Sequence, residues 1–357
     1  MRAAMVVEPG APVSVEDVEP GPLGPRDARV RVDASGVCRT DLWMVRRSRF
    51  PLPCILGHEG AGTVVEIGTD VSRVRIGDRV IASFVPNCGH CFYCERGQST
   101  QCEAMMPNML APRARFNGGD VMAMSGLGTF AELMTVGETA LVPVHTDLPS
   151  EQLALIGCGV TTGTGAALWT AKVEPGSTVA VFGCGGVGQF VIQGAVIAGA
   201  AKVFAIDPVE MKRKTAESAG ATHLIDPGDG DVVEQLRMAT GGRGVDYAFE
   251  VIGDPDVMLQ AYNSVRPRGM AVVVGSAPVD AVLSLPAATL FQEKRLVGSF
   301  YGSSRAACDF PTLVQLAESG RLNIASAVSR TIGLDDVNEA FAAMERGEVI
   351  RSVIIPS

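Results

Sequence analysis

Four cysteines stand close enough together to do chemistry on their own. Cys88, Cys91, Cys94 and Cys102 form a C-x2-C-x2-C-x7-C array, four soft ligands within 15 residues. Thiolates at that density close a tetrahedron around zinc, and a site filled by four sulfurs has no position left for a substrate, so its role is structural. A short iron-sulfur loop is the alternative that thiolate chemistry leaves open. A second constellation is built from glycine: Gly183-Cys184-Gly185-Gly186-Val187-Gly188 fits G-x-G-x-x-G, after an apolar run and before a helical one. Missing side chains let backbone N–H groups reach a pyrophosphate at a helix start. Asp207 lies 19 positions beyond Gly188. A carboxylate there accepts hydrogen bonds from an adenosine ribose and repels a 2′-phosphate, which predicts NAD over NADP. Lys212, on the following helix, is a second ribose candidate whose alternative is an ordinary exposed lysine.

These residues need two different scaffolds. From Met1 to about Leu148 short β-rich runs (Ala28 to Val32, Gly62 to Ile67, Arg79 to Phe84) alternate with Gly/Pro turns, the texture of a β-rich domain with inserted loops. From about Thr178 the pattern becomes strand, helix, strand: Val179 to Phe182, Gly186 to Ala198, Val203 to Ile206. It continues with a helix from Val209 to Ser218, a strand from His223 to Ile225, a helix from Val232 to Met238 and strands from Asp246 to Phe249 and Met270 to Val274. Such alternation predicts a parallel sheet with helices on both faces. Two helical stretches, Pro311 to Glu318 and Leu334 to Glu345, and a strand from Ile350 to Ile355 close the chain.

A length of 357 residues suits two cores, because single cores usually stop growing near ~250 residues. Apolar residues make up 47% and charged residues 19%, and the net charge is −9. That composition is globular, and an acidic chain argues against nucleic acid as a partner. The opening residues lack the features of a signal peptide, and the long apolar stretch from Phe190 to Ile206 is broken by Gln193 and Lys202. The expectation is a soluble cytoplasmic protein, with no membrane contact, whose nine cysteines are ligands rather than disulfide partners.

Cys38, His58 and Cys158 are too far apart for spacing to assemble them. Their surroundings do so by resemblance. Gly57-His58-Glu59-Gly60-Ala61-Gly62 with Gly68 downstream, Gly36-Val37-Cys38-Arg39-Thr40-Asp41, and Gly157-Cys158-Gly159-Val160-Thr161-Thr162-Gly163 resemble the zinc segments of the medium-chain, zinc-dependent alcohol dehydrogenases. The resemblance runs to the closing Gly347-Glu348-Val349-Ile350-Arg351-Ser352. It implies an α/β protein pairing a GroES-like catalytic domain (1–159 and 301–357, with the structural zinc lobe at about 86–103) with a Rossmann coenzyme domain (160–300). It further implies a catalytic zinc on Cys38, His58 and Cys158, open at its fourth position. Glu59 becomes a neighbouring or transient ligand, Asp41 a group behind the ligands, and Thr40 the acceptor of the alcohol proton. Arg39 and Arg351 are implied at the NAD pyrophosphate, and Thr162, Ile252 and Val274 complete the cofactor set with Gly183, Gly185, Gly186, Val187 and Gly188. The cofactors are thus NAD and two zinc ions per chain.

One position departs from that pattern. Many relatives have a histidine five positions after the first zinc cysteine, where this chain has Trp43; an indole cannot titrate, so the proton relay must end differently. Trp43 and Phe84, with Met105 and Met106, suggest a pocket for aromatic or medium-length aliphatic alcohols. The 25 residues 103–127 resemble the long loop of the dimeric branch, and the strand from Leu296 to Phe300 is where relatives pair across a two-fold axis. Glutathione-type formaldehyde dehydrogenases share that branch but use a basic residue soon after the fourth structural cysteine, where Glu103-Ala104-Met105-Met106 supplies none; Arg113 and Arg115 come later. A polyol or threonine dehydrogenase is the other enzymatic alternative. A non-catalytic zinc-stabilised protein is disfavoured by the complete ligand set.

Overall fold

The computed structural model describes residues 1–47, 51–109 and 111–356. The chain divides into two compact units, one of Met1–Gly159, Arg305–Ser319 and Ala327–Ser357, the other of Val160–Ser304 and Gly320–Ser326.

The first unit is built on two sheets. One runs in the order Ser14–Asp17, Arg2–Val6, Cys54–Ile55, Gly119–Ala123, Pro112–Phe116, Glu19–Pro20. The other orders Leu141–Pro143, Arg79–Ala82, Glu59–Ile67, Asp27–Gly36, Arg351–Ile354 and Val328–Ile332, with Leu133–Gly137 also paired to Asp27–Gly36. Strand Asp27–Gly36 shows why: its burial alternates from Ala28 through Val30, Val32 and Ala34, the period-two pattern of a half-buried strand. Ala28, Val30 and Val32 join Val64, Val80, Met134 and Leu141 in one apolar cluster. The C-terminal strand pairs with Asp27–Gly36 through Val353 against Gly36, which brings Arg351 beside residues more than three hundred positions earlier.

The tail differs from its sequence reading in two respects. A helix spans Ala306–Glu318 with Pro311 inside it, whereas the proline had suggested a later start. At the sixth position of the helix Pro311 gives up the bond to Ala307 O and crowds that carbonyl, and burial of Ala306 and Phe310 offsets the cost by favouring the extra turn. Residues Gly320–Ser326 belong with the second unit rather than the first: Gln193 Nε2 donates to Asn323 O at 3.1 Å and Asn323 N donates back to Gln193 Oε1 at 2.7 Å.

The second unit contains a six-stranded parallel sheet ordered His223–Ile225, Lys202–Ile206, Thr178–Phe182, Val245–Glu250, Val265–Val273, Arg295–Gly298. In chain order this is 3-2-1-4-5-6, the Rossmann arrangement, whose crevice opens at the carboxyl ends of the first and fourth strands. Phe182 and Glu250 sit opposite each other there. The strands are apolar on both faces, one packed against Ala166, Val191 and Ile192 and the other against Leu236, Ala261 and Tyr262, as helices on both sides require. Asp231 and Asp254 cap their helices by accepting backbone N–H bonds from Glu234 and from Asp256 and Val257.

The helical run Ser150–Ala171 is 22 residues long and apolar enough to cross a membrane, but most of it is buried inside the protein. Two stretches of it, Ile156–Val160 and Ala166–Ala171, are π-helical, a local widening common at functional sites.

The glycines of the 183–188 loop differ in what they do. A Cβ on Gly188 would lie 1.9 Å from Gly183 O, whereas one on Gly185 would meet nothing within 4 Å. Gly188→Ala is therefore expected to destabilise the fold by roughly 1–3 kcal/mol and to lower the melting temperature by several degrees, with Gly185→Ala leaving it within about a degree. Thermal unfolding of the two variants side by side measures this; equal melting temperatures would contradict the packing argument.

Candidate active site and metal centres

Cys38 leaves the end of strand Asp27–Gly36, and helix Arg39–Arg47 starts directly after it. Asp41, in the first turn of that helix and fully buried, turns back on the loop: Oδ2 accepts from Cys38 N at 2.8 Å, and Oδ1 accepts from Gly57 N at 3.2 Å and meets His58 Nδ1 at 3.0 Å. An ionised carboxylate only accepts, so Nδ1 carries a proton, and Nε2, on the other side of the ring, is the atom left to face a metal. Cys158 enters from the π-helical turn. Gly157 makes this possible, since a Cβ there would stand 2.7 Å from Ala82 O.

Cys38, His58, Glu59 and Cys158 are all buried, with ligand atoms within 4.8 Å of one another. Cys158 hydrogen-bonds to Cys38, and that bond, with Arg351 and His58 nearby, holds the Cys38 thiol well below its ordinary range; the same bond and burial push Cys158 well above. Burial pushes His58 down, yet the Asp41 carboxylate and the Cys38 sulfur outweigh it and hold the imidazole well above its usual value. Burial raises Glu59 to about 7 against the pull of Arg351.

Arg351, expected at a pyrophosphate, is only 5% exposed, and its two terminal nitrogens face this pocket while Nε is buried without a partner. Nη2 donates to Glu59 Oε1 at 3.1 Å and lies 3.6 Å from Cys38 Sγ, and Nη1 reaches Val37 O at 3.4 Å. Glu59 Oε2 is buried with no partner. Two sulfurs, an imidazole nitrogen and an orphaned carboxylate oxygen converging in one dry pocket suit zinc, which takes N, S and O ligands tetrahedrally. Phe84 packs edge-on against His58 with centroids 5.6 Å apart, and Thr40 Oγ1 stands 3.7 Å from Cys38 Sγ.

The comparisons with known proteins agree with this geometry. Residues 24–146 match the family described as alcohol dehydrogenase GroES-like domain, and residues 186–319 match that described as zinc-binding dehydrogenase. An S-(hydroxymethyl)glutathione dehydrogenase of Synechocystis sp. is 36% identical over 99% of both chains. This chain belongs to the zinc-dependent, medium-chain alcohol dehydrogenase family. A solved alcohol dehydrogenase zinc-binding domain protein from Burkholderia ambifaria superposes with a TM-score of 0.95 at 32% identity, covering 100% of this chain and 98% of its own. The benzyl alcohol dehydrogenase of Acinetobacter calcoaceticus does so with 0.93 at 29%, covering 100% and 99%.

The second metal group of this alcohol dehydrogenase is the cysteine array. Cys88, Cys91, Cys94 and Cys102 bring their sulfurs within 4.8 Å of one another, and all nine cysteines of the chain are free. The loop aims backbone N–H groups at the sulfurs: Cys88 N donates to Cys102 Sγ at 3.3 Å, and the amides of Glu103 and Cys94 lower the Cys91 thiol to about 6. Burial pushes Cys94 up to about 12. Positive φ at Gly89 and Gly97 turns the loop.

In the second unit Asp207 and Ile252 lie against the glycine loop. Asp207 is buried, its Oδ2 accepting from Cys184 N and Oδ1 from Val209 N, each at 2.9 Å. Ile252 covers Gly183, whose Cβ would come within 2.7 Å of it, and Val274 N bonds to Glu250 O at 2.8 Å. Gly185, Gly186 and Val187 are half-buried, as are Lys212, Thr162 and Trp43, while Arg39 and Thr40 are exposed. Asp41 was named in the sequence as a group behind the ligands, without its three donors, and two features escaped that reading: the turning of Arg351 into the metal pocket, and Gln189, buried beside the loop. A charged or amide residue at a position of apolar periodicity was the only signal for them.

Removing the Asp41 carboxylate leaves the Nδ1 proton of His58 and two backbone amides unpaired. Asp41→Ala should lower affinity for the catalytic zinc by roughly 10–100-fold while the cysteine-bound zinc stays. Zinc per chain, followed during dialysis against graded chelator, should fall from two to one at lower chelator than in wild type; simultaneous loss of both ions would count against the assignment.

Proposed function

We propose that this alcohol dehydrogenase interconverts an aromatic or medium-length aliphatic alcohol and its aldehyde or ketone, with NAD as the partner redox cofactor. The observation that carries the reading is the closed group of Cys38, His58 and Cys158 with Glu59 beside it. Zinc held there supplies Lewis-acid polarisation of an alcohol oxygen, and NAD supplies a hydride acceptor. The chain's own residues do the rest. Asp41 keeps the ligands aimed, and Thr40, exposed two positions after Cys38, takes the alcohol proton at its Oγ1. Trp43 holds no titratable proton, so it cannot carry the relay onward, and the proton taken by Thr40 leaves by a path that does not use the position five after Cys38. Arg39, exposed on the first turn of its helix, is the guanidinium open to a phosphate, and Arg351 acts from behind by bracing Glu59.

NAD fits the second unit. The space beside Gly185 is open where a side chain would stand, which suits close approach of a pyrophosphate. Each Asp207 oxygen accepts a single backbone N–H in the protein and retains a lone pair for a ribose hydroxyl, while a 2′-phosphate would meet its charge.

The apolar character of Trp43, Phe84 and Met105 supports the substrate class, as does similarity to a benzyl alcohol dehydrogenase. A second reading, oxidation of S-(hydroxymethyl)glutathione, is favoured by the name of the relative at 36% identity. Against it, Arg113 is paired with Asp27 at 3.4 Å with its side chain only 12% exposed, which closes it to a glutathione carboxylate; Arg115, 55% exposed and 3.9 Å from Asp120, stays open to one. NADH formation across benzyl alcohol, hexanol, ethanol, sorbitol, threonine and formaldehyde with and without glutathione separates these. The expected result is a kcat/KM for benzyl alcohol at least about tenfold that for ethanol, roughly what 1.4 kcal/mol of apolar contact provides; dependence on glutathione would establish the second reading instead.

The proposal includes a homodimer. Strand Arg295–Gly298 is a sheet edge, and the chain leading into it carries exposed apolar residues, Val279, Val282, Leu290 and Phe291, the last 94% exposed. Such an edge needs cover, and a second copy related by a two-fold axis provides it. Light scattering should give twice the 37.3 kDa chain mass, and Phe291→Asp should shift the protein toward monomer; a monomeric wild type would remove this part. The thiol-rich metal sites suit the reducing cytoplasm, where we place the protein.

A further inference from the structure

Gln189 is the second residue of helix Gly188–Ile197, only 1% exposed, and directly follows the glycine motif. Its amide nitrogen donates to Cys184 O at 2.8 Å and to Lys212 O at 3.1 Å; two carbonyl acceptors fix which end of the amide is nitrogen. Cys184 N in turn donates to Asp207 Oδ2 at 2.9 Å. Both backbone polar groups of Cys184 are thus held by buried side chains. Its own side chain is fully buried, with Sγ 3.7 Å from Ile206 O. Cys184 is therefore a fixed point between Gly183, at φ +94°, and Gly185, beside which lies open space.

The Lys212 bond carries this restraint to the adenosine side. Asp207 Oδ1 accepts from Val209 N, Asp207 O accepts from Arg213 Nη1 at 2.5 Å, and Arg213 is paired with Asp226 at 2.8 Å. The amide oxygen of Gln189 is buried without a partner. Packing alone would be served better by leucine, which fills similar volume and leaves no unmet acceptor. The amide at this position makes sense through what its nitrogen holds. Two of the next three loop residues are glycines, which lose the most freedom on ordering, and a ligand binding to a loose loop has to supply that ordering itself.

We propose that Gln189 is a positioning residue for the dinucleotide: it clamps the 183–186 backbone in the conformation that accepts a pyrophosphate and ties it to the carboxylate that reads the ribose. The proposal rests on the NAD reading above. It is tested in the full-length enzyme with Gln189→Leu, which deletes both bonds, and Gln189→Glu, which keeps the shape and replaces the donor with an acceptor. Calorimetry with ADP-ribose should give a Kd raised roughly 5- to 20-fold, the loss of one or two ordinary hydrogen bonds. KM for NAD should rise by the same factor, with kcat at saturating NAD and KM for the alcohol within about twofold. A purely structural role would instead lower the melting temperature and leave the ADP-ribose Kd unchanged, and a Kd within twofold of wild type in either folded variant overturns the proposal. Wild-type protein that binds neither ADP-ribose nor NAD removes the dinucleotide reading itself, a failure distinct from equal binding by wild type and variants. Hydrogen exchange gives a further readout: the Cys184 amide, which donates to Asp207 Oδ2, should be protected in wild type before any ligand is added and exchange faster in Gln189→Leu, and equal rates in the two overturn the clamp.

Discussion

The Asp41 carboxylate is the group on which the metal pocket depends. It is fully buried and accepts from Cys38 N, Gly57 N and His58 Nδ1, so one anion orients two ligands that come from different strands and a third group that turns the chain between them. An ion in a dry interior is tolerated only when its lone pairs are met, and here the act of meeting them builds the site. The same logic applies to Glu59 and Arg351. Truncating one partner of such a pair strands the other, at a cost of about 3–5 kcal/mol, so the C-terminal strand that delivers Arg351 is a working part of the pocket rather than a cover over it.

Close backbone approach is the second constraint, and it is met by glycine. Gly36, Gly57 and Gly157 each stand where a Cβ would collide with a neighbouring group within 3 Å. Those contacts let Glu59, His58 and Cys158 crowd around one point. In the coenzyme unit Gly188 serves the same purpose against Gly183 O, whereas Gly185 faces open space. The first is a glycine required by the fold, and no packing contact requires the second.

The family's membership sets the chemistry at the level of zinc-dependent alcohol oxidation, and the differences within it lie in a few side chains. Trp43 stands in helix Arg39–Arg47 one turn from Thr40, which removes a titrating group from the neighbourhood of the reacting proton. Arg113 is committed to Asp27. Neither residue belongs to either group of metal-binding side chains.

The parallel sheet, the glycine loop, Asp207 and the four-cysteine array were legible in the sequence, because each depends on residue types at short, regular spacing: alternation of apolar runs, a six-residue motif, four thiols in one loop. Cys38, His58 and Cys158 were legible only through resemblance, since no local rule connects positions separated by a hundred residues. What the tertiary structure alone decided are the polar contacts at long range and the irregular backbone: Arg351 turned onto Glu59, Asp41 facing three donors, a π-helical turn presenting Cys158, and a helix that begins before Pro311. Hydrogen bonds of that kind are set by how strands and helices stack in three dimensions, and a linear pattern of apolar and polar residues carries periodicity along one element but not the direction in which a buried charge will find its partner.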